Sequence, residues 1–554
     1  MRAFMDDVTT LVESEEGTRR LLRQIDELID WARMKAKPSK SRSLSIVKGK
    51  VKAVQFQLKQ DCIPTVKEEP VKSLGRWYSI PLTDRHRGVE VEKKLKEGLQ
   101  AIDGVDLLGK HKAWCFQFGL LPRILWPLQV YEIALSRVER MEQCVNKFIR
   151  KWLGVPPSFS TVGLHSTSTK LQLPTTSLVE DFQKGKARMV LMLHESADPV
   201  IRDIQPEIRT GKKWSARAAV DEAEANLRTK EIVGATQHDR AGLGSRPQQW
   251  FSQQSQKGRR EMILKEMHQM KEEERFAVAA GMAKQGAWTR WEQAEQRKIS
   301  WQDLARMEPL RISFLLRATY DLLPTPANLK QWKMVESDLC TKCQKRATLE
   351  HVLAACPQRL RQYTWRHNQV LKILAEATAS QCEAACNQGT TKDQFIPFLQ
   401  AGEAPVKNKP ARKFHASLLG PAPDWRTSCD LDQRLVFPQD IALTGQRPDL
   451  VIMSDQRKEV HLVELTVPWE DNLEYAHERK LTRYEDLRIT CEERGWRCKV
   501  LPVEVGARGF VAHSTIKYLS AIGLQANSRR RVVKDVQAAA ETASAWIWQS
   551  SSGT

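Results

Sequence analysis

Apolar residues recur at Leu21, Leu22, Ile25, Leu28, Ile29 and Ala32, the spacing of one helical face, so an amphipathic helix is expected over residues 18–35. "KPSKSRS" ends it, and "LSIVKGKVKAVQFQLKQ" predicts two strands around a Lys-Gly-Lys turn. "EPVKSLGRWYSI" predicts a further short strand region. Residues 109–153 are expected to be helical. In their second half Val138, Met141, Val145, Phe148, Ile149 and Trp152 share a face, and Arg137, Arg140, Lys147, Arg150 and Lys151 cover the rest. That arrangement suits a core helix with a solvated basic side as well as a nucleic-acid contact. Residues 154–256 are mixed and polar and predict no clear element, whereas 257–285 predict a long helix whose alternating charges face solvent. Residues 288–375 are helical in pattern and rich in Trp and Arg, and a looser segment follows over 376–430.

The pattern changes at "RPDLVIMSDQRKEVHLVELT", residues 447–466. Two apolar runs predict strands, with the turn over residues 454–458. Asp449 opens the first run, and Glu464 sits inside the second on the face of Val460, Leu462 and Thr466. Two carboxylates on paired strands repel unless a cation stands between them, and Mg2+ is the natural one. Such an ion can activate water for phosphodiester cleavage. The competing reading places both acids at strand edges, reaching solvent. The following helix has Leu473, Ala476, Lys480, Tyr484 and Leu487 on one face, so a lysine lies within its packed stripe. Lys480 either snorkels or, beside inward carboxylates, orients the attacking water.

At 554 residues the chain is long enough for roughly two to four domains. The formal charge of +20 points to a polyanionic partner, nucleic acid first. A membrane surface would call for a basic amphipathic anchor or a lipidation signal, and neither is found. No apolar run approaches the roughly 18 residues of a spanning helix. Eleven cysteines, scattered except for one cluster, suit a reducing compartment with a metal site.

That cluster is "CTKCQKRATLEHVLAAC", where Cys340, Cys343, His351 and Cys356 stand at C-x2-C-x7-H-x4-C. Three thiolates and one imidazole suit a structural Zn2+ with no open position. The competing reading keeps His351 and Cys356 as core residues of a helix beside Leu349 and Val352.

"RPD" followed by "ELT" resembles the PD-(D/E)xK nucleases, with Thr466 where that family usually has its lysine and Lys480 as its replacement from the next helix. "AFMDD", with Asp6 and Asp7, resembles the metal-binding motif C of reverse transcriptases, and "KSLGRWYS" resembles their primer grip. "LLPTPANLKQW" and "YTWRHNQV" resemble pieces that flank a retrotransposon zinc knuckle. In this order the motifs resemble the C-terminal half of non-LTR retrotransposon polyproteins that carry a restriction-enzyme-like endonuclease. The resemblance implies an α+β multidomain chain. Residues 1–85 would be a remnant of the polymerase palm, 86–170 a thumb-like helical region, and 171–287 a helical or irregular connector. Residues 288–375 would hold linker helices with the knuckle at 340–356, and 376–430 a loose linker. An α/β restriction-endonuclease-like domain would span 431–525, and a basic helical tail 526–554. The implied activity is Mg2+-dependent nicking of target DNA, with Asp449, Glu464 and Lys480 as the catalytic group. DNA and RNA would be the partners, met by Arg447, the basic residues of 137–151, and Arg529, Arg530 and Arg531. The implied location is the nucleus, with a cytoplasmic ribonucleoprotein stage. Polymerase chemistry needs a further carboxylate beside Asp6 and Asp7; none precedes Met1, so a truncated, polymerase-inactive protein is expected. The rivals are a non-catalytic nucleic-acid-binding remnant and a polymerase completed by a partner.

Overall fold

A computed structural model gives a mixed α+β fold. It describes residues 2–552 apart from 5–6, 74, 81–83, 205, 240–241, 247–249, 389–417 and 432–434. The chain divides into two units, one of residues 1–107, 112–148 and 176–270, the other of 108–111, 149–175 and 271–554.

In the first unit, helix α1 (Glu15–Trp31) starts earlier than the apolar spacing indicates, because Ser14 caps it and accepts from Gly17 N. Leu22 and Ile25 pack on Phe56, Leu58 and Ile63, but Leu28 stays exposed, since that small cluster covers only part of the stripe. The Lys-Gly-Lys turn joins Ser45–Val47 to Lys50–Lys52, with Lys48 and Gly49 both at positive φ, as a two-residue hairpin requires. Helix α2 (Arg85–Gly104) follows. The run expected to be helical over 109–153 is interrupted by a π-helical turn at Phe116–Leu120 and by Pro127 within Leu121–Val130. It resumes as α3 (Leu135–Trp152). The break exposes carbonyls that Lys186 satisfies, donating to Gln129 O at 2.6 Å and Tyr131 O at 2.9 Å. Burial pulls the Lys186 pKa down to about 8.

Helices α4 (Leu178–His194) and α5 (Ala216–Val233) lie where the sequence predicts no clear element. Their contact is carried by Ala187, Leu191, Val220, Ala223 and Leu227, with Phe251, Ile263 and Leu264 completing the cluster. Alanines pack closely yet leave a faint apolar signal, so the pattern missed both helices. The long charged helix is present as α6 (Gln256–Ala280).

The second unit contains α7 (Pro309–Thr319) and α8 (Leu360–Gln388), the latter running on where a looser segment is expected from residue 376. Val370, Leu371, Leu374, Cys382 and Ala385 are buried in the sheet's cluster, which accounts for the extension. Four strands form one sheet in chain order: β1 (Arg426–Cys429), β2 (Leu450–Ser454), β3 (Glu459–Thr466) and β4 (Arg497–Glu504). β1–β2 and β2–β3 are antiparallel; β3–β4 is parallel and is connected through α9 (Leu473–Glu493). One sheet face, with Leu450, Ile452, Val463 and Leu465, is covered by α8 residues and by Val536 and Ala540 of the C-terminal helix. The other, with Val451, Met453, Val460 and Leu462, is covered by Tyr484, Leu487 and Cys491 of α9. Burial on both faces explains why these strands are nearly continuous in apolar residues. Helices α10 (His513–Ala521) and α11 (Ala526–Ser552) close the chain. Arg508 is buried between Trp469 and Trp291, 3.6 and 4.0 Å from their ring centroids, and pairs with Glu470 at 2.6 Å. Among the described residues no helix is long and apolar enough to cross a membrane.

Candidate metal centres

Asp449 immediately precedes β2, and Glu464 lies near the end of β3, so antiparallel pairing brings them side by side. Asp449 N donates to Glu464 Oε1 at 3.2 Å, and Leu465 N donates to Asp449 Oδ2 at 2.9 Å. Glu464 faces α9, where Lys480 donates to its Oε2 at 2.5 Å. Lys480 therefore occupies the position its place in the stripe suggests, with 14% of its side chain exposed and Glu464 at 1%. Tyr484, one turn on, donates its hydroxyl to Arg447 O at 3.1 Å and steadies the approach to Asp449. The Arg447 residue itself is exposed.

The two acids are held differently. Burial pushes the Glu464 carboxyl above the usual range, and the charge of Asp449 pushes it further, against Lys480. Burial also works to raise Asp449, but the His367 hydrogen bond and charge, with Lys480, outweigh it and hold Asp449 below the ordinary value. A largely buried pair with one acid pushed upward is a setting that a divalent cation would relieve. Thr466 Oγ1, buried on the Glu464 face without a hydrogen-bond partner, also fits a polar occupant there. Asp449 and Glu464 would hold the ion.

Three groups that the sequence reading did not single out border the site. His367 of α8 has Nε2 at 3.3 Å from Asp449 Oδ2 and 3.2 Å from Leu465 O. Burial opposes its charge, yet Asp449 and the neighbouring acceptors hold its pKa above the usual histidine value. Glu504 ends β4 opposite Thr466, buried, accepting from Ser514 and facing His477 Nδ1 at 3.1 Å. Burial pushes the Glu504 carboxyl up, against Ser514, His477 and Lys480. The available signals were a polar His-Asn pair at the head of the α8 apolar stripe and a histidine one turn before Lys480.

The four residues of the cysteine cluster converge, with their donor atoms all within 4.8 Å of one another. Cys343 Sγ lies 3.2 Å from His351 Nε2 and 3.8 Å from Cys356 Sγ. A tetrahedral ion with ~2.3 Å bonds to sulfur separates two thiolates by about 3.8 Å, so the donors fit a metal of that size. The local chain explains the convergence. Cys340 N donates to Lys345 O at 2.7 Å, Gln344 takes a positive φ, and the turn folds both cysteines inward. His351 lies on a π-helical turn, His351–Ala355, and Cys356 ends it. Tyr363 of α8 accepts from Cys356 N at 3.1 Å and donates to Val352 O at 2.9 Å, fixing that turn. The buried Arg366 donates to Leu353 O at 2.7 Å and to Val467 O at 3.2 Å, so one guanidinium joins the cysteine cluster's turn to the end of β3.

The remaining sites fare unequally. In α3, Arg137 pairs with Glu92 at 2.8 Å and Arg150 donates to Phe159 O at 2.8 Å, whereas Arg140, Lys147 and Lys151 are exposed. Arg529 donates to Ser520 Oγ at 2.7 Å; Arg530 and Arg531 are exposed on α11. Asp6 lies outside the described residues, and Asp7 begins a strand whose hairpin pairs it with Phe4.

No protein-family model matches the chain, and no curated protein matches it significantly.

Proposed function

We propose that the protein is a retrotransposon-derived nucleic-acid-binding protein whose C-terminal sheet forms a metal-dependent DNA endonuclease that nicks its target. The observation that carries this reading is the joining of Asp449, Glu464 and Lys480, from two strands and a crossover helix, in one largely buried cluster. The strand–turn–strand–helix order is what the PD-(D/E)xK resemblance implies for this segment, and Lys480, from the helix, would stand in for the strand lysine whose position Thr466 occupies. A Mg2+ held there would lower the pKa of a bound water and neutralise charge on the scissile phosphate. Asp449 and Glu464 supply the hard oxygen donors. Lys480 spends one N–H on Glu464 and has two left to orient the attacking water or a phosphate oxygen. Water adds to phosphorus as the P–O bond to the leaving sugar oxygen breaks, and that oxygen takes up a proton. The Cys340, Cys343, His351 and Cys356 group would hold a structural Zn2+. The net charge of +20 supports DNA and RNA as partners, and such a protein acts in the nucleus.

Nicking of supercoiled plasmid with Mg2+ tests the proposal. Asp449→Ala, Glu464→Ala and Lys480→Met are each expected to cut nicking by at least ~100-fold while DNA binding persists. No nicking by the intact chain favours a purely binding protein. Extension of a primed RNA template by the purified chain would favour the polymerase reading of Asp6 and Asp7.

A further inference from the structure

Two tryptophans meet at the surface of the second unit, where the packing of their helices does not require them. Trp365 of α8 and Trp546 of α11 stand with ring centroids 5.1 Å apart and planes tilted by 52°. Their mutual contact still leaves them 41% and 49% exposed, so part of each indole meets water. A lone exposed aromatic calls for no explanation, but a pair displayed from a fixed frame does. The frame is built from buried and cross-linked neighbours. Arg366 donates to Ser544 Oγ at 2.9 Å, Gln362 donates to Ser550 Oγ at 3.2 Å, and Ile547 is fully buried. Rings held in this way cost little further ordering when a partner binds.

Charge selects the partner. Arg361, one turn before Trp365, and Lys372, two turns after it, lie on the same exposed side of α8, roughly 16 Å apart along the helix. Neither pairs with an acid among the described residues. Residues 361–372 and 542–549 contain no acid at all, and Glu541, just outside, is buried between Arg297 and Arg311. An apolar protein partner would have to bury both cations unpaired. A nucleic-acid strand meets both demands, phosphates on the cations and bases on the rings. Its place is beside the carboxylate cluster. On the Trp365 side of α8, Asn368 donates to Leu431 O at 2.7 Å, and the adjoining Asp430 N donates to Asp449 O at 2.9 Å. We infer that Trp365 and Trp546 form a stacking platform for an unpaired base of the bound DNA, with Arg361 and Lys372 on its phosphates. This rests on the reading of DNA as partner, though not on cleavage.

Fluorescence anisotropy of the full chain without Mg2+, on a duplex carrying a short unpaired thymine loop, tests the platform. The comparison is the same duplex with abasic sites in the loop, which keeps every phosphate. The wild type is expected to bind the loop with bases at least about fivefold tighter. In the double variant Trp365→Leu/Trp546→Leu the two duplexes should bind within about twofold of each other, with the salt dependence unchanged. Circular dichroism identifies a misfolded variant. Photocrosslinking of the wild type to a 5-iodouracil loop needs no variant and is expected to attach at Trp365 or Trp546. Equal affinity of the wild type for both loops, a preference that survives in the folded variant, or crosslinks only elsewhere overturns the platform. Base preference without plasmid nicking keeps the platform and removes the nuclease reading; nicking without base preference does the reverse. No binding to either duplex overturns the platform together with DNA as partner.

Discussion

Single buried residues set the chemistry of the second unit, and His461 gives one of them a measurable signature. It is 2% exposed in β3 and stacks on Trp425, with ring centroids 5.9 Å apart. Burial holds its pKa down at about 4. The unfolded chain takes up that proton near pH 6.5, so between about pH 6.5 and 4 unfolding binds a proton that the native state refuses. Stability contributed by the neutral ring is full above that window and is lost as pH falls through it, by about 2 kcal/mol at pH 5. Chemical unfolding at about pH 5 and 7.5 should therefore show a pH loss about 2 kcal/mol smaller in His461→Phe, which keeps the stack. Equal losses in both chains would show that the ring titrates normally. At Lys480 the residue scale also sets the site's electrostatics, because its ammonium reaches from α9 to Glu464. The position of Lys480 in the apolar stripe of "LEYAHERKLTRYEDL" made it legible. His367 was not, since a histidine on a helix face gives no indication of which strand end it will meet.

At the scale of elements, the cysteine cluster and the carboxylate site are parts of one packed assembly. Arg366 binds Leu353 O and Val467 O, and its neighbour His367 binds Asp449. With the proposed zinc bound at the cysteine cluster, its removal should loosen the Cys340–Cys356 turn and withdraw an anchor of α8. Chelation, or Cys356→Ser, is expected to lower stability by about 2 kcal/mol or more and to weaken nicking although no zinc ligand touches the carboxylates. Calorimetry with a strong chelator, and nicking before and after zinc is restored, measure both effects. Unchanged unfolding in the chelated protein would mean that the cluster folds without metal. The spacing of the four ligands was readable because each turn is local. The continuation of α8 to Gln388 was not, because it follows from burial against the sheet.

Over the whole molecule, the charge of +20 is a long-range property that no single contact owns. Each phosphate contact contributes about 0.9 to the slope of log affinity against log salt. Replacing the exposed Arg530 and Arg531 with Gln should lower that slope by about 2 if both meet phosphate. Arg150→Gln should leave it unchanged, since its guanidinium already serves Phe159 O. Fluorescence anisotropy on duplex DNA at several salt concentrations separates the two. The sequence alone determined the spacing of the four cysteine and histidine residues that converge, the two acid-bearing strands with their following helix, and the sign of the field. Each of these follows from short-range spacing or from simple summation. Only the tertiary structure decided which basic residues remain exposed, that α4 and α5 exist, and that His367 and Glu504 border the cluster of Asp449, Glu464 and Lys480. Those outcomes depend on packing between segments far apart in the chain, where burial, and no local pattern, selects the partner.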